Sequence, residues 1–176
     1  MNIYFLRHAS AGVPLSSPKR DEKRALDKEG LDQCGYVGRA LAALEVQADS
    51  ILTSPLKRCT QTASLVANEL GHEGKLHIEA ALRPEASFPD FQRMLEKYSR
   101  QDSLLLVGHN PSLSHFLGMV VGASRTEASI ELKKGAVAKV ELRRGGGTLQ
   151  WCLTPRVLRT LHDTAVESSR PKTSRK

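Results

Sequence analysis

The sequence predicts an α/β protein, a three-layer sandwich whose mainly parallel sheet carries helices on both faces and is closed by a C-terminal β-hairpin. Three observations predict it. Short apolar runs alternate with segments of helical periodicity over most of the chain, two of those runs lead into a capping residue followed by proline, and two late strand-like runs flank a triple glycine. At 176 residues the chain is long enough to bury one sizeable core and too short for two comfortable domains. A single domain over residues 1–160 is expected, with 161–176 as a basic, disordered tail.

Residues 2–6 (Asn-Ile-Tyr-Phe-Leu) are a short apolar run that suits a buried first strand, whose C-terminal end delivers Arg7 and His8. Residues 9–24 hold Gly12, Pro14, Ser16, Ser17 and Pro18, then a mixed charge cluster, and read as a mobile surface loop. From Asp27 as N-cap, the apolar positions Leu31, Cys34, Val37, Leu41 and Leu44 fall at helical spacing. Residues 50–54 read as the second strand. Ser54-Pro55 then supplies a capping residue and a first-turn proline for a helix to about Gly71, with Arg58 on its first turn. A short strand is expected at Leu76–Ile78, a loop around Leu82-Arg83-Pro84-Glu85 and an amphipathic helix at Phe88–Tyr98. Ser103–Gly108 is the clearest buried strand, and it ends at His109. Asn110-Pro111 repeats the cap-and-proline arrangement, opening a helix to about Val121. The hairpin follows, with residues 136–142 and 148–153 joined through Gly145-Gly146-Gly147, and the ordered fold is expected to end near Leu158.

No apolar run approaches the roughly 18 to 20 residues of a membrane span, and the first residues lack the basic region and cleavage site of a secretion signal. A cytoplasmic protein is expected. Cys34, Cys59 and Cys152 are odd in number and far apart, which excludes a disulfide framework and predicts buried thiols. Lys and Arg outnumber Asp and Glu by 26 to 19, but four of those positives lie in the last seven residues. The remaining 22 against 19 make the domain only mildly basic, which fits an acidic substrate or partner. With aromatic residues at 5%, stacking platforms for nucleic acid are few.

Arg7, His8, Arg58 and His109 would all lie at strand ends, where ligands bind in such sheets. Phosphoryl transfer needs donors around three negatively charged oxygens, and arginine's planar fork supplies paired hydrogen bonds to phosphate. A neutral imidazole can attack phosphorus, and neighbouring arginines should disfavour the imidazolium form of His8. His109 would act as a neutral donor or, with an anion bound, as a third positive charge. No metal or other cofactor is required. His72, His77 and His162 read as surface or loop histidines, and His115 as a core or capping residue.

Leu6-Arg7-His8-Ala9, then Ser54-Pro55-Leu56-Lys57-Arg58-Cys59-Thr60-Gln61-Thr62-Ala63, then Gly108-His109-Asn110-Pro111 resemble in order and spacing the histidine phosphatase superfamily. That resemblance implies a phosphoglycerate mutase-like fold. Arg7-His8-Ala9-Ser10-Ala11, the Gly-His-x-Pro loop and the C-terminal stretches around Ile130–Ala138 and Trp151–Pro155 are similar to the SixA-type phosphohistidine phosphatases. The resemblance spans about residues 1–160. By it, His8 is the nucleophile phosphorylated in turnover and Arg7, Arg58 and His109 form the phosphate pocket, with Arg24 as a further substrate contact. Glu85 is a candidate proton donor, Asp90 being the other acidic residue in that segment. Many members carry a longer covering insertion and an acid for alcohol leaving groups, whereas the segment between Leu76 and Phe91 is short here. The implied substrate is a phosphorylated protein, such as a phosphorelay or histidine-phosphotransfer domain. Phosphomonoesterase action on small metabolites and a non-catalytic phosphate-binding scaffold are the alternatives.

Overall fold

In the computed structural model, which describes residues 1–122 and 126–168, the apolar runs become the strands β1 (Asn2–Arg7), β2 (Ser50–Thr53), β3 (Leu76–Ile78) and β4 (Ser103–Gly108). The late pair becomes β5 (Val137–Arg143) and β6 (Gly146–Leu153). All six join one sheet in the order β3-β2-β4-β1-β5-β6. The first four strands are mutually parallel, while β5 runs antiparallel to β1 and β6 to β5. The described helices are α1 (Pro18–Glu22), α2 (Lys28–Ala43), α3 (Lys57–Glu69), α4 (Phe88–Lys97), α5 (Ser112–Val121) and α6 (Pro155–Ser168).

Strand side chains alternate between faces, so each central strand feeds two cores. Ile3, Phe5, Leu104 and Leu106 pack with Phe91 and Met94 of α4 and Phe116 and Leu117 of α5. Tyr4, Leu6, Leu105 and Val107 pack on the other face with α2, α3 and Leu158 of α6. That makes the three layers. Each fully buried Leu, Ile or Phe contributes roughly 1.5–3 kcal/mol, so both faces of β1 and β4 hold the sheet. The connection leaving β1 leads towards β2 on one side, and that leaving β4 leads towards β5 on the other. The sheet therefore has its topological switch point between the C-terminal ends of β1 and β4, where a crevice opens in folds of this type.

Several local expectations are corrected. Helix α2 is capped by Asp27, which accepts from Gly30 N at 2.8 Å, but Leu31 is 50% exposed and Leu44 52%. The buried stripe is Gly30, Cys34, Val37, Gly38 and Leu41, because two glycines lie where α2 presses against neighbouring chain. Helix α3 starts at Lys57, not at Pro55, because the chain bends at Pro55-Leu56 and Leu56, with extended backbone, is the N-cap. Helix α5 likewise starts one residue past Pro111. Residues 9–24 are not a mobile loop. Ala9, Ser10 and Ala11 are buried and α1 is tied down by Asp21, whose carboxylate finds two arginines. The hairpin turns at Arg144-Gly145, and Arg143 already pairs with Gly146. Gly145 and Gly146 have φ +99° and +148°, so two glycines in conformations that other residues rarely adopt make the turn, and Gly146 and Gly147 already belong to β6. Cys34 and Cys59 are buried thiols, but Cys152 is exposed.

The expected tail from residue 161 is corrected in its first half. Thr154-Pro155 is a third cap-and-proline pair, with Thr154 Oγ1 accepting from Val157 N at 3.4 Å, and α6 runs through to Ser168. Leu158 anchors it rather than ending the fold. Residues 169–176 lie outside the described residues.

Candidate active site

Strand register brings the site together. Arg7 pairs with Gly108, so His8 and His109 leave adjacent strand ends side by side, and His8 N donates to Gly108 O at 3.0 Å. Thr53 pairs with Val107 and Ser54 N donates to Val107 O at 3.0 Å, which sets the start of α3 against the same edge. The two imidazole rings lie 5.0 Å apart, edge to face. Arg58, one residue into α3, sends its Nε to within 3.3 Å of His8 Nε2.

These contacts fix the state of His8. Its Nδ1 lies 2.8 Å from Ala9 O, a carbonyl that can only accept, so the ring proton sits on Nδ1. Nε2, approached by the Arg58 donor, keeps its lone pair. Burial lowers the His8 pKa to about 3, and the charges of Arg58, Arg7 and Arg24 push in the same direction. The arginines were expected to keep His8 neutral, but desolvation is the larger cause. His109 is lowered too, first by burial and then by His8 and Arg58. Its Nε2 lies 2.9 Å from Ser54 Oγ and 3.2 Å from Cys59 Sγ.

Arg7 donates from Nη1 to Leu132 O at 2.8 Å, and its buried Nε has no partner among the described residues. Arg58 donates from Nη1 to Asp21 O at 3.0 Å and pairs with Asp21 Oδ2 at 3.2 Å. Asp21 in turn pairs with Arg24 at 2.7 Å and accepts from Leu15 N. Hydrogen bonds from Arg24 and Leu15 lower the Asp21 pKa to about 2 despite some burial, so this carboxylate is ionised throughout the physiological range. Two imidazoles without charge and two arginines are thus gathered at neighbouring strand ends. Such an array has the chemistry to bind a tetrahedral oxyanion beside Nε2 of His8.

The chain after His8 is gripped from α2 and α3. Ala9 N donates to Thr62 Oγ1 at 3.2 Å, and Ser10 N to Gln33 Oε1 at 2.9 Å. Asp27 holds both Ser10 Oγ and Gly12 N while it caps α2. Gln61 Oε1 accepts from Leu26 N at 2.9 Å. At Gly30 a Cβ would fall 2.0 Å from Ser10 O, so glycine is what lets α2 abut the nucleophile's loop.

Of the residues expected at the site, Arg7, His8, Arg58 and His109 converge. Arg24 lies at the rim, where it holds Asp21 and donates to Ala11 O at 2.7 Å. Glu85 does not enter. Its carboxylate is 65% exposed and paired with Arg83 at 2.5 Å. Asp90 forms the capping box of α4 with Ser87. Arg83 also pairs with Glu22 of α1, joining the two rims of the crevice by an ion pair, and its charge reaches His109. His115 faces outward and pairs with Glu127 at 3.0 Å, neither core nor cap. Asp21, Ser54, Cys59 and Arg83 carry site contacts that sequence reasoning missed. Ser54 and Cys59 stood inside the segment that contains Arg58, whereas nothing distinguished Asp21 from its charged neighbours.

Comparison with known proteins places this geometry. A family model described as "Histidine phosphatase superfamily (branch 1)" matches residues 3–97, more than half of the chain. The phosphohistidine phosphatase SixA of Escherichia coli K12 is 24% identical over 158 residues, covering 88% of this chain and 94% of that one. Among solved structures, the protein histidine phosphatase SixA complexed with tungstate superposes with a TM-score of 0.80 at 22% identity, over 90% of this chain and 99% of that one. The alpha-ribazole phosphatase of Shigella flexneri superposes with 0.68 at 16% identity, over 88% and 97%. At these identities the structural likenesses establish the fold.

Proposed function

Because the chain belongs to the histidine phosphatase superfamily (branch 1) and is a phosphatase, we propose that its substrate is phosphohistidine on a protein and that His8 carries the phosphoryl group between two steps. In the first, the Nε2 lone pair of His8 attacks phosphorus while the bond from phosphorus to the substrate imidazole breaks. The departing imidazole takes a proton from solvent. Arg7, Arg58 and His109 surround the three phosphoryl oxygens as charge shifts on them. In the second, water attacks phosphorus, the bond to His8 breaks, Nε2 regains its lone pair, and inorganic phosphate leaves with the water's proton passing to solvent.

The observation that carries this reading is the state of the carboxylate in contact with the site. Asp21 is held ionised by Arg24 and by the Leu15 amide, so it is a poor acid, and Glu85 is tied to Arg83. An alkoxide leaving group needs a placed proton donor, whereas an imidazole does not. The short segment after β3 also leaves room for a side chain projecting from a protein. The SixA likeness supports the same substrate, and a phosphorelay or histidine-phosphotransfer domain in the cytoplasm is the partner this reading calls for.

His8→Ala is expected to abolish phosphate release from phosphohistidine and from small test esters alike, and full retained activity would overturn the proposal. In the wild type, the phosphodonor label on His8 should be acid-labile and base-stable. The likeness to an alpha-ribazole phosphatase favours a second reading, hydrolysis of small phosphate esters. Comparing kcat/KM on a phosphohistidine protein with that on sugar and nucleotide phosphates decides. A preference for the esters above roughly 100-fold, about 2.7 kcal/mol in the transition state, would select the second reading.

A further inference from the structure

Beside the phosphate pocket lies a groove of about 720 Å³ that shares Arg7 with it and extends between α2 and the start of α6. Its cations are Lys133 and Lys134 on the turn before β5, Arg156 and Arg159 on α6, and Arg7 itself, against the carboxylates of Glu29 and Asp32 on α2. Lys133 pairs with Glu131. Among the described residues, Lys134, Arg156 and Arg159 have no carboxylate within ion-pair distance. Arg156 and Arg159 are three apart and so share one face of α6.

The groove is built onto the catalytic strand. Gly135, at φ +71°, donates its N–H towards Arg7 O at 3.1 Å and His8 O at 3.2 Å, fastening the Lys133-Lys134 turn to the nucleophile's own backbone. A Cβ at Gly135 would lie 3.1 Å from both Gln33 Oε1 and Pro155 Cγ, so α2, the turn and α6 meet tightly there. Gln33 in turn accepts from Ser10 N. The spare positive charge is therefore held at a fixed place relative to His8, unlike charge on a loose terminus.

We propose that this groove docks an acidic polypeptide segment flanking the phosphohistidine of the protein substrate, with Lys134, Arg156 and Arg159 as its contacts. The inference rests on the phosphohistidine reading above. Glu29 and Asp32 repel the same segment from the α2 wall and so confine it to the α6 side. Complementary charge of this kind raises the rate of encounter more than it alters the chemical step, so the effect should appear in kcat/KM for a tethered substrate and not for a small one.

The test uses the full chain and synthetic phosphohistidine peptides identical except that the residues flanking the phosphohistidine are glutamate, glutamine or lysine, with phosphoramidate as the small substrate. Wild type is expected to favour the glutamate peptide over the lysine peptide by about tenfold or more in kcat/KM. Lys134→Glu combined with Arg156→Glu should reverse that order and leave phosphoramidate turnover within roughly twofold. Reversal towards the lysine peptide is a gain that misfolding cannot produce. Equal rates on all the peptides, or an unchanged order in the variant, would overturn the docking surface while sparing the phosphohistidine reading. Turnover of phosphoramidate with no peptide hydrolysed at all would overturn both.

Discussion

While Arg58 Nε reaches His8, Asp21 holds the far end of the guanidinium by two contacts, one through a backbone carbonyl. If Asp21 supplies placement, Asp21→Asn should keep kcat within about threefold, since an amide oxygen still accepts, whereas Asp21→Ala should lower kcat roughly tenfold. Equal losses in steady-state assays would show that its charge is what counts. Arg7-His8 and Gly108-His109 were legible because each follows an unmistakable apolar run. Asp21 was not, because one carboxylate in a run of six charged residues becomes special only when Arg58, 37 positions away, folds against it. The same limit hid Ser54, whose place before Pro55 reads as a helix cap until its hydroxyl is found 2.9 Å from His109 Nε2.

Helix α2 does more than cover the sheet. Its cap, Asp27, also clamps Ser10 and Gly12, so the helix start and the nucleophile's loop form one unit. Asp27→Ala should therefore cost at least the ~1 kcal/mol of an ordinary cap and lower kcat as well, read together by denaturant melts and steady-state rates. Gly30→Ala tests the same joint from the other side. An added methyl meets Ser10 O far inside contact distance, so kcat should fall at a helix position where alanine normally stabilises. Unchanged kcat with a higher melting temperature would mean the joint is not needed. Strands and their order of appearance were legible from apolar runs, above all in β4, buried at every position. Helix starts were less so, because cap-and-proline pairs mark a boundary only to within a turn, and α3 takes Leu56 rather than Ser54 as its N-cap. Thr154-Pro155 carried the same signal for α6, masked by the charged residues that follow.

For the molecule as a whole, two buried neutral histidines couple stability to pH. His8 titrates near 3 in the folded chain and about 6.5 when unfolded, and His109 is depressed likewise, so the unfolded state binds more protons between those limits. Their contribution is complete above about pH 6.5 and is lost as pH falls towards the folded values. Asp21, also depressed, adds a loss that begins only below about pH 4. Thermal melts should decline from pH 6.5 to 4.5, and His8→Asn should flatten that slope while leaving the steeper fall below pH 4. An identical slope in the variant would assign the decline elsewhere. The sheet order has a consequence for biosynthesis as well. Strand β1 pairs with β4 and β5, Asn2 meeting Ser103 on one side and Glu141 on the other. On the ribosome, His8 is made long before the strand that holds it, whereas β2, made next, can pair with β3 as soon as residue 78 has emerged. The nascent chain must therefore shelter β1, an apolar strand with no partner, until residue 108 has emerged, so the nucleophile meets Arg58 and His109 only late in synthesis.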